Sequence, residues 1–258
     1  MKRTPSPYAV LPALPLPPPS STLSRASLSL LLDEVDTRAM ERTPGGLRLF
    51  VERAWPILEP AVPFQPGFHV DAICDLLSAI TTGHVLNALL LIPPRFSKSL
   101  SSCVLWPAWH WGPVNSPASK WIFNTYRLDL SLRDSGKRRI LMSSPWYQQR
   151  WGSRFTLGNE RFRADSSAKY ENDRSGYHMS TSVGGGNTGE GANVLVFDDC
   201  NNIAEIYSEI ARETVIRWFN EVMATRRNDA LAARLVVQQR GHERDLAGAI
   251  MEQGGWDV

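Results

Sequence analysis

Two short strings carry side chains able to do chemistry together. In LNALLLIPPRFSKS, residues 86–99, an apolar run gives way to a proline turn and then to Lys98 and Ser99. In NVLVFDD, residues 193–199, an apolar run ends on Asp198 and Asp199. Adjacent acids at the end of a buried run are costly, because burial penalises each charge and each charge penalises its neighbour. A bound Mg²⁺ relieves both penalties. The first acid can then hold the metal's coordination shell while the second polarises an attacking water. The plainer reading is a helix N-cap, a role that Asp fills well.

The lysine string has its own requirements. A phosphate cradle needs backbone N–H groups aimed at oxygens, a lysine reaching the β- and γ-phosphates, and a hydroxyl on Mg²⁺. Lys98 and Ser99 supply the last two, and Arg95 adds a cation inside the loop. In the usual pattern, G-x-x-x-x-G-K-[ST], Ile92 and Ser97 stand at the two glycine positions. Alone, PPRFSKS reads as a proline turn capped by Ser97; together with the two acids it points to a nucleotide site for ATP and Mg²⁺.

These residues must be held by strands. LNALLLI, KWIFNTY, YHMSTSV, NVLVFDD and RLVVQQR read as short apolar strands. Helical stretches follow at about 98–110, 128–142, 204–224 and 243–252. This alternation predicts an α/β fold of the P-loop NTPase type, a mostly parallel sheet with helices on both faces. In such a sheet, sites lie at the carboxyl ends of strands. SVGGGNTGEGAN, residues 182–193, precedes a strand and lacks Lys-Ser, so it reads as a loop feeding the Asp198 strand. Upstream, helical patterns cover 26–45 and LRLFVERAWPIL, where Pro56 ends or kinks the helix. In HVDAICDLLSAITTGH, Val70, Ile73, Leu76, Leu77 and Ile80 recur at helical spacing. The expected organisation is a flexible Pro-rich tail over 1–25, a helical segment over 26–66 and an ATPase domain over 67–258.

Composition bounds the rest. A chain of 258 residues, 43% hydrophobic and 21% charged, is a soluble globular protein with a sizeable core. A net charge of +2 makes no bulk case for nucleic acid. The clusters Lys137-Arg138-Arg139 and Arg226-Arg227 read as solvated helix ends or loops. Cys74, Cys103 and Cys200 are far apart, and neither they nor His69 and His242 show metal-ligand spacing. Lys2 and Arg3 before an apolar stretch imitate a signal peptide, but Pro12, Pro15, Pro17, Pro18 and Pro19 break the helix such a peptide needs. No apolar run approaches the roughly 18 residues that span a bilayer.

The blocks IPPRFSKS, WIFNTYRLDLSLRDS, SPWYQQRWGSRF, YENDRSGY, STSVGGGNTGEGANVLVFDDC and VVQQRGHERDLAG, in this order from about Phe68 to Trp256, resemble the ATPase domain of the large terminase subunit of tailed bacteriophages. A glycine-poor PPR-x-SKS loop is itself a form of that family. The resemblance implies an ATP-driven motor that moves double-stranded viral DNA into a procapsid in the host cytoplasm. It also implies a homo-oligomeric ring docked on a portal protein, with a small terminase subunit as partner and no membrane.

Residue by residue, the resemblance makes Pro94, Arg95, Phe96, Ser97, Lys98 and Ser99 the phosphate loop. Ser99 and Asp198 become the metal ligands and Asp199 the catalytic carboxylate. Thr225 and Arg226 fall at the motif that couples hydrolysis to movement. Gln65 or His69 falls where adenine is contacted. Arg95 in cis, or Arg127 or Arg133 from a neighbouring subunit, is the candidate for stabilising charge on the γ-phosphate. Cys200 and Asn201 stand where the family usually has Pro and often His. The family also carries a nuclease domain after the ATPase, whereas this sequence stops at GGWDV, so no nuclease activity is expected of it. A second expectation follows: a truncated, non-catalytic terminase module that binds portal, small subunit or DNA.

Overall fold

The computed structural model describes residues 24–158, 165–185 and 189–258. The Pro-rich stretch 1–23 lies outside them, as do residues 186–188 of the glycine-rich run. By contacts the chain divides into a unit ending at Val35 and a unit from Asp36 to Val258. The first unit holds most of α1 (Arg25–Met40), on which Leu28, Leu30, Leu31, Leu32 and Val35 are exposed.

In the second unit six strands form one sheet: β1 (Asn87–Leu91), β2 (Lys120–Thr125), β3 (Lys169–Glu171), β4 (Tyr177–Ser182), β5 (Val194–Asp198) and β6 (Ala233–Gln238). Their order is β1-β6-β5-β2-β4-β3, and every pairing is parallel except β3 with β4. This is a mixed α/β architecture with a mostly parallel sheet. The register levels the carboxyl ends: Leu91 pairs with Gln238, Asp198 with Val237 and with Thr125, and Thr125 with Ser182. Residues just past these ends are therefore neighbours, whatever their separation in sequence.

Alternate residues of a strand face opposite sides. Val194 and Val196 join one buried cluster, with Phe50, Ile73, Trp106, Trp109 and Trp121. Leu195 and Phe197 join a second, with Val215, Trp218, Leu246 and Ile250. Helices cover both faces, so the inner strands are apolar throughout. On the first face pack α2 (Gly46–Leu58), α3 (Phe68–Thr81), α4 (Trp106–Trp111), α5 (Leu128–Ser143) and α6 (Pro145–Trp151). On the second pack α7 (Glu209–Arg217) and α8 (Leu246–Gln253). Burying Leu47, Phe50 and Val51 on α2 contributes roughly 1.5–3 kcal/mol per side chain against the extended chain. Among the described residues no helix is long and apolar enough to cross a membrane.

The elements differ from sequence expectation in four places. The helix from Lys98 winds as a π-helix over Leu100–Leu105 before α4. The helix expected over 204–224 is divided: a 3₁₀ turn at Ile203–Glu205, α7, a π turn at Trp218–Val222 and a 3₁₀ turn at Met223–Arg226. Pro56 does not end α2, which continues to Leu58. Strand β3 and helix α6 had no expectation. Ser144 caps α6, accepting from Tyr147 N–H, and Pro145 holds its first turn.

Candidate functional site

The loop after β1 takes an unusual backbone path. Arg95 and Ser97 have φ of 70° and 56°, the left-handed region that favours glycine. Ser97 thus adopts at the second glycine position of the phosphate-loop pattern the conformation a glycine would supply. Its short side chain makes this tolerable, at about 1–2 kcal/mol. Among the described residues no carbonyl or side chain accepts from the N–H groups of Arg95, Phe96 or Ser97. The chain then enters the helix at Lys98, and Ser102 Oγ donates to Lys98 O at 2.7 Å.

Lys98 is 5% exposed, and its Nζ donates to Asp199 Oδ1 at 2.7 Å. That contact joins the ends of β1 and β5, 101 residues apart. Asp199 is itself left-handed, with φ 46°, and its N–H donates to Val237 O. Its Oδ1 also accepts from Gln239 N–H at 3.0 Å, which ties in the end of β6. Asp198 is buried. Burial, then the neighbouring Asp199 charge, pushes its carboxyl up to about 7; a hydrogen bond from the Ser99 side chain pulls the other way. Its Oδ1 has no partner among the described residues. A buried, unpartnered carboxylate oxygen next to a serine hydroxyl is what a divalent cation would satisfy, so Ser99 and Asp198 fit Mg²⁺.

A third acid lies beneath. Asp134 of α5 is 3% exposed, accepts from Arg133 Nε at 2.9 Å through Oδ1, and leaves Oδ2 unpartnered. Cys103, Asp134 and Asp198 present ligand atoms within 4.8 Å of one another. Asp134 also contributes to the raised Asp198 pKa. The cavity over these groups holds about 300 Å³. It is lined by the loop residues Pro94, Arg95, Ser97, Lys98 and Ser99, by Thr125, Tyr126 and Arg133, and by Asp198 and Asp199.

The structure brings together most of the residues singled out by sequence. Arg133 lines the cavity of its own chain, as does Arg95. Phe96 turns outward, 40% exposed, with its ring edge-on to His69 at 5.0 Å. His69 thus reaches the loop through Phe96, while Gln65 is exposed in the connector before α3. Arg127 is tied to Asp129 by two hydrogen bonds at the start of α5 and does not line the cavity.

Thr225 and Arg226 are not brought to the site. Arg226 O accepts from Ala192 N–H, ahead of the first residue of β5. Strand β5 separates that edge from Asp198 by about 13 Å, at roughly 3.3 Å per residue. The residues of the β6 segment that touch the acids are at its other end, where Val237 O accepts from Asp199 N–H and Gln239 N–H donates to Asp199 Oδ1. The basic cluster at 137–139 is corrected at one position. Arg138 is fully buried, donating to Tyr170 Oη, Cys103 O and Ser180 Oγ, with its guanidinium 3.8 Å from the Phe123 ring centre.

Sequence reasoning missed Thr125, Tyr126, Asp134 and Gln239. The strand-end rule could have found three of them, since each ends or follows an apolar run. Asp134 gave no such signal. Compared with protein-family models and with curated proteins, the chain matches none.

Proposed function

We propose that this chain is an ATP-hydrolysing motor domain resembling that of a phage large terminase subunit, moving double-stranded DNA into a procapsid in the host cytoplasm. Portal protein and small terminase subunit are its proposed partners, in a homo-oligomeric ring. The observation that carries the hydrolase reading is the Lys98–Asp199 contact at 2.7 Å, with Ser99 beside Asp198, at the carboxyl edge of a parallel sheet. The sequence blocks that resemble terminases supply the DNA-packaging part.

In this reading the free N–H groups of the 95–97 loop receive phosphate oxygens. Lys98 leaves Asp199 for the γ-phosphate, whose charge outcompetes one carboxylate. Asp199, released, orients the attacking water and accepts its proton at a carboxylate oxygen. Gln239 N–H keeps that carboxylate in place meanwhile. Arg95 and Arg133, which line the same cavity, offset charge that grows in the transition state. Ser99 and Asp198 would hold Mg²⁺, which would supply positive charge to offset that of the phosphates.

The test is ATP turnover with and without DNA for Lys98→Ala. A loss of roughly 100-fold or more is expected, with folding confirmed by an unchanged cooperative melt. Unchanged turnover overturns the hydrolase reading. Co-assembly with a portal ring separates a packaging motor from another ATPase of the same chemistry.

A further inference from the structure

A second cavity adjoins the first and has donors without acceptors. It holds about 220 Å³. Tyr126 belongs to both, so one aromatic side chain is common to the Lys98 cavity and this one. Asn201 and Asn202, just past the two acids, line it, and Arg212 of α7 lines it from the facing element.

Arg212 is 7% exposed, and its Nη1 donates to Ile206 O at 2.7 Å. No carboxylate pairs with it among the described residues, although Glu209 and Glu213 line a groove that Arg212 also borders. Glu205 is exposed and lines the second cavity. A guanidinium has five donors, and a buried one without a counter-ion is expensive. Asn201 points the same way. It is 5% exposed, and its Oδ1 accepts from Gln238 Nε2 and Leu246 N–H. Its amide nitrogen has no acceptor among the described residues. Apart from the Arg212 Nη1 bond to Ile206 O, the guanidinium of Arg212 and the amide N–H₂ of Asn201 have no protein acceptor among the described residues, and solvent reaches them.

We infer that this cavity is a second anion subsite, with Arg212 and Asn201 as its donors and a tetrahedral oxyanion of the inorganic phosphate class as its ligand. Arg212 supplies the charge, the Asn201 amide a directed hydrogen bond, and the volume admits phosphate with some of its water. Its place beyond Tyr126 makes it a station for phosphate leaving the Lys98 cavity. That use rests on the hydrolase reading; the binding does not.

The test is equilibrium binding of inorganic phosphate, followed by calorimetry, in the full chain without nucleotide. Lys98→Ala removes the principal cation of the first cavity and should leave one phosphate bound. Adding Arg212→Met to that chain should weaken the remaining affinity at least 10-fold. Adding Asn201→Asp instead should do the same. It keeps the acceptor for Gln238 and Leu246 while replacing the donor by a charge, so it decides the matter if Arg212→Met does not fold. Absence of phosphate binding in Lys98→Ala, or unchanged binding in the folded double variants, overturns the subsite. Neither result bears on whether Lys98 is needed for ATP turnover.

Discussion

Ser97 and Asp198 hold their side chains at a cost that their neighbours must offset. Ser97 sits in the left-handed region, so Ser97→Gly should raise the unfolding free energy by up to about 1 kcal/mol in urea titration. ATP turnover should stay within a few-fold, since only the backbone N–H is called on. Asp198 is a titration problem. Its folded pKa, about 7, lies above the usual carboxylate value, so the folded chain keeps a proton that the unfolded chain releases. The corresponding stability is fully present below about pH 4 and is lost as pH rises through 7. For a fully buried group this is on the order of 2–4 kcal/mol. Asp198→Asn should flatten the unfolding free energy between pH 5 and 8 in metal-free buffer. An equally steep profile in the variant would place the proton elsewhere. Mg²⁺ needs the ionised form, so its affinity for the wild-type chain should fall below pH 7.

Helix α5 has little apolar periodicity, and the sequence alone does not say which face turns inward. Its buried stripe is Ser131, Asp134, Ser135, Arg138, Leu141 and Met142, a helical repeat written largely in polar residues. Each polar member on that stripe serves a neighbour. Ser131 Oγ donates to Phe123 O, Ser135 Oγ to Ser167 O, and Arg138 reaches Cys103, Tyr170 and Ser180. Arg138 therefore joins α5, β3, β4 and the π-helical turn after the loop. Arg138→Met should cost about 3–5 kcal/mol in urea unfolding, because several buried acceptors lose their donor. Arg138→Lys should recover little, since a point charge cannot span three acceptors set around a planar fork. Full recovery by lysine would show that charge alone matters.

Across the whole molecule, the site is assembled from four strand ends within one chain. Arg133, anchored by Asp134, faces the same cavity as Lys98, which argues against supply from a neighbour. A mixing experiment reads this out. Chains with Lys98→Ala and chains with Arg133→Ala should each lose turnover, and an equimolar mixture should show only the sum of the two. Recovery above the sum would place Arg133 in the adjoining subunit's site. Arg226 lies on the opposite edge of the sheet, so Arg226→Ala should leave basal ATP turnover within about twofold.

Much of this site was legible because burial and charge conflict in a way that shows in one dimension. Asp198 and Asp199 close an apolar run, Lys98 and Ser99 follow another after a proline turn, and an apolar run of that length in an alternating chain is a buried parallel strand. The left-handed turn at Ser97 follows from the same pattern once its place beside Lys98 is known. Strand order and register were not written there. They decided that Gln239 touches Asp199, that Tyr126 borders two cavities, and that Thr225 and Arg226 face the far edge. Nor could periodicity orient α5, where the inward face is polar and its partners come from segments up to 42 residues away. A sequence determines which groups must be buried; only packing decides which group each buried polar atom meets, because hydrogen bonds and ion pairs depend on distances that chain order does not fix.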